Sequence, residues 1–283
     1  MRKIRNINKV VTGENKVDGA GVKLVRVIGY NDVKDFDPFL LLDGFDSRNF
    51  QDYIKGFPWH PHRGIETVTY LLSGKIEHGD SLGNQGVIED GDCQWMTAGS
   101  GIIHQEMPQP SERMLGVQLW LNLPQKDKMT VPEYRDITAD KIPLIEEDGS
   151  QVRIISGTYK DSEGAIQGDY VKTLFLHVDI EKNKEWSLKT HKDHTVLVYI
   201  VEGTCAFDRD NHKTIPEKSA VLFKYDGDEI YIKAMDKKAR VLVLSGKPLK
   251  ESIAWGGPIV MNTQEELQQA FKEIDEGTFI KTK

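Results

Sequence analysis

Cysteine is scarce in this chain. Cys93 and Cys205 are the two in 283 residues, too few for a disulfide framework and in keeping with a reducing compartment. Long hydrophobic runs are missing too, and no apolar stretch approaches the roughly 20 residues that a bilayer-spanning helix needs. Positive charge is not in excess. Lys and Arg number 37 against 44 Asp and Glu, a formal charge of −7, which argues against a broad basic face for direct nucleic-acid contact. The opening Met1-Arg2-Lys3-Ile4-Arg5 is basic but lacks the apolar segment of a secretory leader. A cytoplasmic protein with no membrane contact is expected.

Helical periodicity is rare as well. The best case is 263–274, where Thr263 and Glu266 form a capping-box pattern ahead of Leu267, Ala270, Phe271 and Ile274. Short β-favouring runs punctuated by Gly, Pro, Asn and Asp fill the rest, at 67–72, 116–121, 152–155, 174–178, 196–201, 220–223 and 240–244. This pattern predicts an all-β fold of sandwich or barrel type with one short C-terminal α-helix. A prior of roughly 150 residues per domain suggests two domains, and the polar, proline-bearing stretch 125–150 reads as their connection. The expected division is 1–130 and 131–283.

A shift of 129 places residues 70–74 over 199–203, His62 over His191 and His60 over Lys189. The 99–106 segment then falls near 227–235, where Tyr231, Lys233 and Met235 are the candidates and no His/Glu pair occurs. Both halves read as the same β unit, with a full set of ligand-type residues in the first alone.

That set is His60-Pro-His62 and His104-Gln-Glu106. On a strand, i and i+2 point to one face, so two facing strands can deliver three imidazoles and a carboxylate to one point. Burying all four carries a large desolvation cost unless a metal or hydrogen bonds compensate. Glu66 is a rival carboxylate with the parity of His62, although Arg63-Gly64 makes a bulge plausible there. The residues alone leave Glu66 and Glu106 nearly even. The continuation after His62 lacks the aspartate and histidine of metallo-β-lactamase sites, and the scarcity of helices excludes a TIM-barrel hydrolase. Cys93 sits in Gln94-Trp95-Met96 company and reads as core. His78, His177, His191, His194 and His212 have no convergent partners in sequence; His191 and His194 are candidates for a second metal site, but without a second pair a surface or core placement is expected.

The segments FPWHPHRGIETV at 57–68, QWMTAGSGIIHQEMP at 94–108 and GVQLWLNLP at 116–124, followed by Lys128-Met129, resemble the pirin family of the cupin superfamily. GKPL at 246–249 and GPIVMNT at 257–263 extend the resemblance over nearly the whole chain. It implies a bicupin, two tandem antiparallel β-barrels of the double-stranded β-helix type, with one metal in the N-terminal barrel. The implied ligands are His60, His62, His104 and Glu106, with Glu66 left close to the site. The implied metal is Fe(II), while Zn, Mn, Ni and Cu suit the same donors. The implied activity is quercetin 2,3-dioxygenase-type, O2-dependent cleavage of a flavonol, with Glu106 as general base. Gln118 and Trp120 share parity on the following strand and either line the pocket or pack in the core. The alternative is a non-enzymatic, iron-dependent regulator that binds a transcription factor or metabolic enzyme.

Overall fold

A computed structural model describes residues 3–210 and 213–281. Every β-favouring run named above lies within a strand, and the strands pair antiparallel into large sheets. The chain forms two compact units that interleave in sequence. One comprises Asn15–Lys34, Phe39–Ala139 and Leu249–Lys283; it carries the histidine motifs. The other comprises Met1–Glu14, Asp35–Pro38 and Asp140–Pro248.

A single boundary at 130/131 therefore does not describe the chain. The Ile7–Thr12 strand pairs with Ser219–Phe223 and so joins the later unit. The C-terminal helix, Gln264–Asp275, packs Leu267 and Ala270 against Ala254, Ile259, Met261 and Phe279, inside the histidine unit. Its capping box forms as the sequence predicts, with Thr263 and Glu266 exchanging bonds. The 125–150 stretch is also more than a connection, because Glu133–Ile137 pairs with Cys93–Thr97 and Leu144–Glu147 with Ser150–Ser156.

The histidine unit has a seven-stranded sheet in the order Glu133–Ile137, Cys93–Thr97, Ile65–Ser73, Met114–Asn122, Phe39–Ser47, Val22–Ile28 and Glu14–Asp18. Its four-stranded sheet runs Phe57–His62, Ile102–Pro108, Ile76–Asp80, Gln85–Ile88. One apolar cluster gathers Leu24, Phe45, Leu71, Ile76 and Met114, and another gathers Leu40, Ile65, Met96, Ile102 and Val260. In sheet register the Asp43–Gln118–Thr69–Gln94 row lies between the Phe45–Gly116–Leu71 level and the Leu41–Trp120–Thr67–Met96 level. The other unit repeats the plan with seven strands and four, around one apolar cluster that includes Val152, Leu176, Val198, Val221 and Val243. Among the described residues no helix is long and apolar enough to cross a membrane.

Candidate metal centre

Three of the expected ligands converge. The Phe57–His62 strand pairs with Ile102–Pro108 so that His104 faces His60 and Ile102 faces His62. Ring centroids lie 4.8 Å apart for His60–His62, 4.4 Å for His60–His104 and 5.1 Å for His62–His104. His62 and His104 are buried, while His60 is partly exposed.

The hydrogen bonds fix which nitrogens face inward. His60 Nδ1 lies 2.8 Å from the Pro58 carbonyl and His62 Nδ1 lies 3.0 Å from the Pro258 carbonyl. A carbonyl only accepts, so both Nδ1 atoms carry the proton and donate. The two Nε2 atoms are then bare acceptors in the neutral rings, yet they sit 3.0 Å apart. Protonating His62 does not relieve this easily, because burial, with His60 adding to it, pulls the pKa of His62 down to about 3. His104 is held well below its ordinary value by burial and by His62, His60 and His78. Both of its ring nitrogens are buried with no hydrogen-bond partner among the described residues. Opposed lone pairs and an orphaned buried imidazole fit a cation held by three nitrogens.

Glu106 is close by but is anchored outside this trio of ligand atoms. Thr69 Oγ1 donates to its Oε1 at 2.9 Å and Gln118 Nε2 donates to its Oε2 at 2.9 Å. The strand register shifts between His104 and Glu106, placing Glu106 opposite Phe57. Glu66, fully buried, accepts from Thr97 Oγ1 at 2.7 Å and also stands outside the trio.

Beside the histidines opens a cavity of about 690 Å³, within the roughly 300–1,000 Å³ of small-molecule sites. Gln118 and Trp120 both line it. Trp120 stands edge-on to His62 at 5.0 Å and continues to Trp255 at 5.8 Å and on to Tyr30, 5.6 Å from Trp255. At its polar wall Arg26 clasps Asp43 through two bonds of 2.9 and 2.7 Å and reaches Asp18 at 2.7 Å.

Sequence reasoning missed the part played by the C-terminal segment. It supplies Trp255 and the carbonyl that orients His62, and it grips the turn after that ligand. Arg63, buried, donates to the Ser100 and Phe279 carbonyls, pairs with Glu273 at 2.8 Å and lies over the Phe279 ring. Gly64 has φ +76°, and a Cβ there would meet the Val260 carbonyl oxygen at 2.0 Å, so a side chain has no room. The buried ammonium of Lys128 joins Gly64 O, Asn122 Oδ1 and Val260 O at 2.7–2.9 Å.

Residues 21–121 match the Pirin family and residues 175–280 match the Pirin C-terminal cupin domain. A pirin-like protein of Caulobacter vibrioides is 42% identical over 279 residues, covering 98% of this chain and 99% of that protein. The chain belongs to the pirin family. A Pseudomonas aeruginosa relative, provisionally named a quercetin 2,3-dioxygenase, is 41% identical over 283 residues, covering 98% of this chain and 99% of its own. A solved quercetin 2,3-dioxygenase from Acinetobacter baumannii superposes with a TM-score of 0.89 at 33% identity, covering 98% of this chain and 99% of that one. The two units thus have the bicupin fold of the pirins.

The remaining histidines of this pirin divide into several settings. His78 is buried against Tyr134 and Asp136, and His177 lies 3.3 Å from Asp179. His191 and His194, weighed as a second metal site but expected at the surface or in the core, come together with Asp193, their ligand atoms within 4.8 Å of one another. There the buried Arg5 guanidinium already bonds the carbonyls of His191 and His194. His212 lies outside the described residues. Both cysteines are buried, and burial pushes the Cys93 thiol up and the Cys205 thiol up to about 12, as suits core residues.

Proposed function

We propose that this pirin is a metal-dependent dioxygenase that opens the heterocycle of a flavonol with O2, a reaction of the quercetin 2,3-dioxygenase type. The observation that carries the reading is the trio of converging imidazole nitrogens, with His60 and His62 at the wall of an aromatic cavity and the unpartnered His104 beside them. His60, His62 and His104 would hold a ferrous ion in the N-terminal cupin barrel, with Glu106 completing the set. When bound, that ion supplies an open coordination position, electron exchange with O2 and a lowered pKa for a hydroxyl beside it.

The chain's own residues do the rest. Trp120, Trp255 and Tyr30 offer ring faces and edges to a planar aromatic. Glu106 receives the proton of the flavonol hydroxyl as general base, held in place by Thr69 and Gln118. Both atoms of O2 enter the product, and one ring carbon leaves as carbon monoxide. The names of the Pseudomonas and Acinetobacter relatives support this substrate class, and the cytoplasm is the proposed location.

The test is an assay of iron-loaded protein with quercetin under air and under argon. Loss of flavonol absorbance should require O2, release carbon monoxide and vanish in His104→Ala. No turnover by stoichiometrically iron-loaded protein overturns the reading for this substrate and favours the regulatory alternative.

A further inference from the structure

One register row of the histidine unit is polar across six strands: Arg26 pairs with Asp43, Asp43 with Gln118, Gln118 with Thr69, Thr69 with Gln94, and Gln94 with Asp136. Asp43, Gln118, Thr69 and Gln94 are all buried, Gln94 completely. Burying such a row is costly unless its members are bonded. Gln118 sits at its centre and also lines the cavity.

The orientation of the Gln118 amide follows from its neighbours. Nε2 lies 2.9 Å from Glu106 Oε2 and 3.5 Å from Thr69 Oγ1. The Thr69 proton is engaged with Glu106 Oε1, so Thr69 offers Gln118 a lone pair. Both neighbours therefore call for a donor, and the NH2 group faces them. Oε1 is left with no protein partner among the described residues, on a side chain that borders the cavity.

We propose that Gln118 is a positioning residue that fixes the Glu106 carboxylate and at the same time accepts a hydrogen bond from a hydroxyl of the ligand. The site then selects hydroxylated planar aromatics over their methyl ethers. Its catalytic half rests on the dioxygenase reading; its binding half does not.

The test uses Gln118→Met, close in volume but without the amide. Zinc-loaded wild type and variant are titrated anaerobically, by tryptophan fluorescence, with a flavonol and with its singly O-methylated forms. Wild type should lose about tenfold in affinity when the contacted hydroxyl is methylated, the size of one hydrogen bond. In Gln118→Met that penalty should shrink to near unity, read at saturating zinc and below a melting transition that falls as Glu106 loses a buried donor. With iron and quercetin, kcat should fall on the order of tenfold as Glu106 loses one anchor. The same methylation penalties in both proteins, or an unchanged kcat, overturn the proposal while turnover by wild type leaves the dioxygenase reading intact. A wild type that binds flavonols without turnover removes that reading but leaves the penalties decisive. A wild type that binds no flavonol overturns both.

Discussion

Replacing Arg63 with Met tests whether the C-terminal segment holds the metal site together. The guanidinium is 2% exposed. It donates to Ser100 O at 2.7 Å and Phe279 O at 2.9 Å, pairs with Glu273 at 2.8 Å and lies 4.3 Å from the centre of the Phe279 ring. Methionine keeps much of the aliphatic volume and none of the donors. Removing one partner of a buried ion pair costs about 3–5 kcal/mol. Glu273 keeps Lys281 at 2.9 Å and Gln269 at 3.1 Å, which puts this loss near the low end. Two carbonyls left without donors add about 1 kcal/mol beyond it, since such terms do not sum fully. The expected destabilisation is ~4 kcal/mol, or roughly 8–16 °C at the 2–4 °C per kcal/mol of a chain this size. Calorimetry should show that drop in the transition of the histidine unit. A loosened tail also loosens the Pro258 carbonyl on His62 Nδ1, and lost support of this kind weakens metal binding by about 10–100-fold. Zinc release to a chelator should therefore speed up by at least about tenfold. A fall below ~3 °C together with wild-type zinc release refutes the reasoning.

Two further predictions concern the same clasp. Burial pushes the Glu273 carboxyl up, but Lys281, Gln269 and Arg63 outweigh it and bring the pKa to about 2, below the ordinary 4.5. A carboxyl whose pKa is lower in the folded state stabilises fully above its unfolded value and loses that contribution as pH falls through the folded one. Glu273→Gln should thus lower the melting temperature at neutral pH and flatten its pH dependence between about 4.5 and 2. An unchanged slope in calorimetric scans over that window counts against the ion pair. Lys128→Met strands Asn122 Oδ1 and Val260 O and leaves Gly64 O with the Leu123 amide alone. Relief of the buried ammonium offsets part of the cost, leaving about 2 kcal/mol. Urea unfolding should show a lower midpoint at constant slope, and an unchanged midpoint counts against the clasp.

The strands were legible because β-favouring runs bounded by turn residues need no partner to announce themselves. The histidine trio was legible because i, i+2 parity survives in any regular strand. Glu106 was harder, since a register shift after His104 changes where its side chain lies, and parity cannot see a shift. The interleaving of the units was not legible. It depends on Ile7–Thr12 pairing with a strand more than 200 residues later, and nothing in local periodicity encodes such a partner. The same limit hid Pro258, 196 residues from the His62 that it orients. It also hid the polar row, which takes one residue from each of six strands.

The strand pairing also accounts for the lack, among the described residues of the second unit, of a counterpart to the His60–His62–His104 trio. Where His60 faces His104 in one unit, Lys189 faces Glu229 in the other, so the register puts Glu229, not Tyr231, at the position of His104. Tyr231 instead faces Ser187. The interior has changed in step. Ile154, Leu176, Val243, Val198 and Val221 form a register row that is apolar across five strands, in contrast to Arg26, Asp43, Gln118, Thr69, Gln94 and Asp136. Each buried aliphatic side chain of that row stabilises its unit by about 1.5–3 kcal/mol. The histidine unit forgoes this along its polar row and splits its apolar interior into smaller clusters. Such a concession makes physical sense where the polar groups serve a ligand, because a ligand that binds only the folded state returns stability by mass action. A unit that has exchanged its ligand residues gains nothing from a polar row, and an unbroken apolar core is the more stable solution there.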